Sequence, residues 1–142
     1  MQFSGHLSTI YCTIANFDYD EVSYSRTLLR VPDGGTIALD FTPPITPDNP
    51  LIEGQTILVA LHGLTGGSHE SYVRDVMKKV TGKKDEQGLG WRGVVVNFRG
   101  CAGSPVTGDN FQLYHGGYTD DLRCALAYLS HLTPQSPLHG IG

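Results

Sequence analysis

Apolar positions first fall into a clear period after residue 25. Residues 27–31 (Thr-Leu-Leu-Arg-Val) and 36–41 (Thr-Ile-Ala-Leu-Asp-Phe) flank Pro32-Asp33-Gly34-Gly35. Two such runs around an Asp-Gly-Gly turn predict a β-hairpin, with the glycines supplying positive φ angles. Pro43, Pro44, Pro47 and Pro50 then crowd residues 42–54, which proline's missing N–H makes an exposed connection rather than a helix or central strand. Residues 57–61 (Ile-Leu-Val-Ala-Leu) contain no polar position, as a strand buried on both faces of a parallel sheet requires. After the turn His62-Gly63-Leu64-Thr65-Gly66-Gly67, Ser68 stands as an N-cap for a helix in which Tyr72, Val73, Val76, Met77 and Val80 recur at helical spacing. A polar stretch over 81–90 leads to a second apolar strand at 94–98. Beyond the loop 99–117, Thr119 caps a helix whose Leu122, Ala125, Leu126, Leu129 and Leu132 share one face, and Thr133-Pro134 ends it. Residues 137–142 read as the start of a third buried strand.

Residues 1–24 show no period and are expected to form an irregular arm before one unit over 25–142. Hairpin, strand, helix, strand, helix, strand is α/β organisation, with helices flanking a mostly parallel sheet. Composition adds bounds. The 142 residues suit one domain, and 39% apolar against 17% charged residues can support a core. A net charge of −4 argues against a nucleic-acid partner, which selects basic domains. Lys78, Lys79, Lys83 and Lys84 cluster where a helix ends, and cations there suit the negative end of its dipole. Cys12, Cys101 and Cys124 form neither a disulfide framework nor a zinc site, which fits a reducing compartment. The first residues lack the pattern of a signal peptide, and no apolar run approaches a membrane span. An intracellular protein is expected, cytoplasmic or peripherally membrane-associated.

The turn at 62–67 carries the most chemistry. Glycines between a buried strand and a helix expose unpaired N–H groups, and the helix start adds positive character. Such a turn stabilises an anion, either a bound phosphate or the oxyanion of acyl transfer. No lysine follows Gly66 or Gly67, so the P-loop pattern fails, and the dinucleotide fingerprint is absent. A tight turn alone explains the glycines but not His62-Gly63.

Several segments together carry a resemblance. They are residues 3–9 (Phe-Ser-Gly-His-Leu-Ser-Thr), 33–36 (Asp-Gly-Gly-Thr), 62–67, 97–104 (Asn-Phe-Arg-Gly-Cys-Ala-Gly-Ser) and 114–122 (Tyr-His-Gly-Gly-Tyr-Thr-Asp-Asp-Leu). In this order they resemble the α/β-hydrolase superfamily, in its YheT-like, embryogenesis-associated (AB-hydrolase family 4) branch. That branch includes fatty-acid ethyl ester synthase/esterases and acylglycerol or phospholipid lipases. The resemblance implies an incomplete α/β-hydrolase fold and serine-dependent acyl transfer on medium- or long-chain esters or acylglycerols. It implies no cofactor and no metal, and a substrate met in solution or at a membrane or lipid-droplet surface. It makes the Leu64 N–H an oxyanion donor, with His62 and Gly63 supporting the loop, and places Arg99-Gly100-Cys101 in the next loop at the strand ends.

Family members carry a Ser-Asp-His triad with the serine on a Gly-x-Ser-x-Gly elbow. Ser68 has a glycine two residues before it, but Glu70 occupies the second glycine's place, so residues 1–142 hold no elbow. Residues 137–142 look like the strand entering one, with Gly142 as its first glycine. The chain alone is therefore expected to be inactive. The rival reading is a non-catalytic truncated or splice product that binds a partner protein through an open sheet edge. His115 and Asp120 match the acyltransferase spacing His-x4-Asp, but a helix start explains Thr119 and Asp120 better. Cys101 reads as packing rather than nucleophile, and Asp18, Asp20 and Glu21 as a solvated acidic turn.

Overall fold

In the computed structural model, residues 21–108, 113, 115 and 117–142 are described. Strands β1 (Ser25–Arg30) and β2 (Thr36–Thr42) form the hairpin, in register from Ser25 opposite Phe41 to Arg30 opposite Thr36. Only Gly34 of the two turn glycines takes a positive φ, 86°. The Asp33 side chain accepts the Gly35 N–H at 2.9 Å and closes the turn. Strand β3 (Ile57–Leu61), helix α1 (Ser71–Thr81), strand β4 (Arg92–Asn97), helix α2 (Asp120–Leu132) and strand β5 (Leu138–Ile141) follow. A short 3₁₀ turn, Lys84–Glu86, interrupts the polar stretch before β4.

The sheet order is β1-β2-β4-β3-β5. β2 runs antiparallel to β1 and β4, whereas β4, β3 and β5 are mutually parallel. The alternation of side chains across the pleat sorts the core into two layers. Ile37, Leu39, Phe41, Ile57, Val59, Val94 and Val96 meet Ala125 and Leu129 of α2 on one face. Leu58, Ala60 and Val95 meet Val73 and Met77 of α1 on the other. The continuous apolar runs in β3 and β4 exist because both of their faces are covered.

Two expectations are corrected. Residues 138–141 do form a strand beside β3, but it lies at the sheet edge, where His139, Gly140 and Ile141 are exposed rather than buried. Ser68 is not the N-cap of α1. That position belongs to Glu70, and Ser68 is buried two residues earlier, committed to another partner. Thr119 does hold the N-cap position of α2, without a capping hydrogen bond from its side chain. The proline-rich connection begins with a cis Thr42–Pro43 bond. It is tied down by buried Arg92, which donates to the Pro43 and Pro50 carbonyls at 2.6 and 2.9 Å. Residues 3–9, Cys12, Asp18 and Asp20 lie outside the described residues.

Candidate functional site

Residues 62–67 leave β3 at the carboxyl end of the parallel strands, the edge at which α/β sheets place ligands. The Gly66 N–H donates to the Gly63 carbonyl at 3.0 Å, closing a four-residue turn with Leu64 and Thr65 at its centre. Thr65 sits at φ 61°, a left-handed conformation that strains a β-branched residue. Leu64 is 78% exposed, and its N–H has no acceptor among the described residues. The Gly63 N–H is engaged, donating to the Tyr72 hydroxyl at 2.8 Å.

His62 is buried beneath this turn. Its Nδ1 lies 2.7 Å from the Gly63 carbonyl, and its Nε2 accepts the Phe98 N–H at 3.3 Å. Both contacts are satisfied by the tautomer protonated at Nδ1, which donates to Gly63. The imidazole thus ties the ends of β3 and β4 together. Gly142 reaches the same region, where a Cβ added to it would contact Leu61.

Two polar networks hold the turn from below and beside. Asp40, on the β2 face opposite α2, accepts Arg26 through both carboxylate oxygens at 2.7 Å, Ser68 Oγ at 2.5 Å and Asn97 Nδ2 at 2.8 Å. Asn97 Oδ1 accepts the Ser68 N–H at 2.9 Å. Burial pushes the Asp40 carboxyl up, but its hydrogen bonds from Arg26, Ser68 and Asn97 outweigh that and hold it below its ordinary value. The second network is built on Arg99, which binds Asp121 at the start of α2 and Asp33 in the hairpin turn. The Tyr118 hydroxyl also donates to Asp33, at 3.0 Å. Arg99, and then the Gly35 N–H, hold the Asp33 carboxyl down to about 2. The loop that follows Arg99 lies against the turn. Burial raises the Cys101 thiol, and the Thr65 amide that hydrogen-bonds its sulfur lowers it only partly.

A pH dependence follows. Asp33 and Asp40 titrate lower in the folded chain than in the unfolded one, so the unfolded state binds more protons as pH falls. The stabilisation from Asp33 is complete above about pH 4 and lost as pH falls toward about 2, and that from Asp40 is lost in the same direction. The urea midpoint is expected to fall steeply across that window, and Asp33→Asn to flatten the slope. A midpoint that does not change from pH 5 to 2 would contradict this.

Among the described residues no cluster could hold a metal ion. The His115–Asp120 pair is not brought together as a catalytic unit: Asp120 faces Arg123 at 3.5 Å, and the His115 ring lies 5.9 Å from that of Tyr118. The sequence alone does not reveal Asp40 as a site residue, nor the contacts of Asn97, Tyr72 and Ser68. The available signal was an aspartate inside the otherwise apolar run Ile37-Ala38-Leu39-Asp40-Phe41.

No family model matches the chain. It is 30% identical to a monoacylglycerol lipase of Saccharomyces cerevisiae, over 98% of this chain and 37% of that protein. It is 33% identical to an embryogenesis-associated protein of Picea glauca, over 96% of this chain and 29% of the relative. With the esterase YheT of Escherichia coli the identity is 31%, over 80% and 30%. An esterase structure from Pyrococcus furiosus superposes with a TM-score of 0.57 over 89% of this chain and 44% of its own, at 14% identity. The chain belongs to the α/β-hydrolases. It spans about a third of the length of these curated relatives and carries part of the α/β-hydrolase fold, five strands with helices on both faces. No helix among the described residues of this α/β-hydrolase is long and apolar enough to cross a membrane.

Proposed function

We propose that this α/β-hydrolase transfers acyl groups from carboxylic esters, with the Leu64 N–H as one oxyanion donor and His62 and Gly63 supporting its loop. The observation that carries the reading is an exposed, uncommitted Leu64 amide on a strained turn at the carboxyl edge of the sheet. A serine oxygen, activated by a histidine, attacks the ester carbonyl. The carbonyl electrons move onto oxygen against the Leu64 N–H, the alcohol leaves, and water or a second alcohol takes the acyl group. Residues 1–142 contain no Gly-x-Ser-x-Gly, and the 142-residue stretch alone is expected to be inactive. Acyl esters of medium or long chain, acylglycerols among them, are the substrate class, in keeping with relatives named monoacylglycerol lipase and medium-chain fatty acid ethyl ester synthase/esterase. Such substrates are met in the cytoplasm or at a membrane or lipid-droplet surface.

Leu64→Pro tests this directly. Leu64 is the second residue of its turn, a position that favours proline, and its exposed side chain has little packing to lose. The substitution removes the N–H and leaves the turn. In the full-length protein it is expected to lower kcat about a hundredfold, with Tm unchanged. Leu64→Ala should leave kcat within about twofold. Undiminished turnover in Leu64→Pro sinks the assignment.

A further inference from the structure

Tyr72 stands in the first turn of α1, 52% exposed, and its hydroxyl oxygen accepts the Gly63 N–H at 2.8 Å. A phenol has one proton to donate, and this contact uses only its acceptor side. Among the described residues that proton has no acceptor. Accepting a hydrogen bond polarises the O–H and strengthens it as a donor. The hydroxyl is anchored one peptide unit from the Leu64 amide, whose N–H is also uncommitted. Two unsatisfied donors therefore stand side by side at the open end of the sheet.

We propose that Tyr72 is a catalytic residue, its hydroxyl donating a hydrogen bond to the same developing oxyanion as the Leu64 N–H. This inference rests on the ester reading above. Tyr72 keeps its proton throughout: the hydrogen bond tightens as the carbonyl electrons move onto oxygen and relaxes when the tetrahedral intermediate collapses. The Gly63 N–H serves indirectly, by fixing the position of the phenol.

A tyrosine that merely braced the loop would act through its acceptor side alone. The two roles respond in opposite directions to ionisation of the phenol. A phenolate cannot donate to an oxyanion, yet it accepts the Gly63 N–H more strongly. The experiment places fluorotyrosines of decreasing pKa at position 72 of the full-length protein and measures kcat and KM for a p-nitrophenyl ester against pH. The expected result is an alkaline loss of kcat that moves to lower pH with each added fluorine, at constant KM and Tm. Tyr72→Phe should lower kcat about a hundredfold, with KM changed less than about twofold. A pH profile unmoved by fluorination overturns the role of Tyr72, as does full kcat in Tyr72→Phe. If Tyr72→Phe does not fold, the fluorotyrosines decide, because they retain the hydroxyl. Absence of any ester turnover in the unaltered protein overturns the ester reading and this inference with it. Turnover with an unmoved profile overturns only the inference.

Discussion

Arg99→Met is expected to lower the unfolding free energy by about 4 kcal/mol. Arg99 is 2% exposed, and its guanidinium meets Asp121, itself 1% exposed, through two hydrogen bonds. The same fork reaches Asp33 at 2.8 Å and lies 5.1 Å over the Tyr118 ring. One side chain thus joins the end of β4, the start of α2 and the hairpin turn. Methionine would fill much of the aliphatic volume but leave Asp121 as a buried charge without a cation. Uncompensated charge of that kind is among the costliest single changes. Domains of this size have about 5–15 kcal/mol in all, so about a quarter or more of the stability would go. Urea unfolding followed by circular dichroism measures it. Arg99→Met/Asp121→Leu removes both charges and should recover more than half of the loss. A double variant no more stable than the single one would mean that Arg99 acts by packing on Tyr118, not by charge.

That hub also marks where the sequence stops being legible. The run 57–61 and the valines 94–96 within the strand expected at 94–98 announce themselves because both sheet faces are covered there, and such apolar runs have few other uses. The glycine-rich turn and its exposed Leu64 could be read for the same local reason. Arg99, by contrast, finds its partners 22 and 66 residues away, and no spacing encodes that pairing. Ser68 looked like a cap because serine before a helical period usually is one. Its hydroxyl is instead drawn to Asp40, a buried carboxylate that demands donors more strongly than the start of α1 does. The apolar residues of 138–141 mark a strand, but its pairing with β3 is a matter of strand order, which local pattern does not specify. Asp40 was the clue left unused, since a carboxylate on a covered strand face must have partners, and its cross-strand neighbour is Arg26.

Gly67→Ala should cost about 3 kcal/mol, and Ala102→Gly in the same chain should restore about two thirds of it. A Cβ on Gly67 would stand 2.2 Å from the Ala102 Cβ, a distance at which the two loops cannot coexist. It would also lie 3.0 Å from His69 Nδ1 and 3.1 Å from Asn97 Oδ1. These neighbours differ in what they can yield. His69 is exposed and can swing away, whereas Asn97 is fixed by Asp40 and by the Ser68 amide. The strain must therefore displace the loop carrying Ala102. That loop is already strained, with Ala102 at φ 48°, so glycine at 102 removes both the clashing carbon and an unfavourable left-handed conformation. Ala102→Gly alone should change stability by less than about 1 kcal/mol, because relieved strain offsets the added freedom of the unfolded chain. The expected coupling of about 2 kcal/mol between two loops brought together only by the fold is a direct measure of their contact. Additive effects in the double variant would mean that the loops do not touch in solution. The turn bearing Leu64 would then lack the lateral support on which its geometry, and the oxyanion role proposed for it, depend.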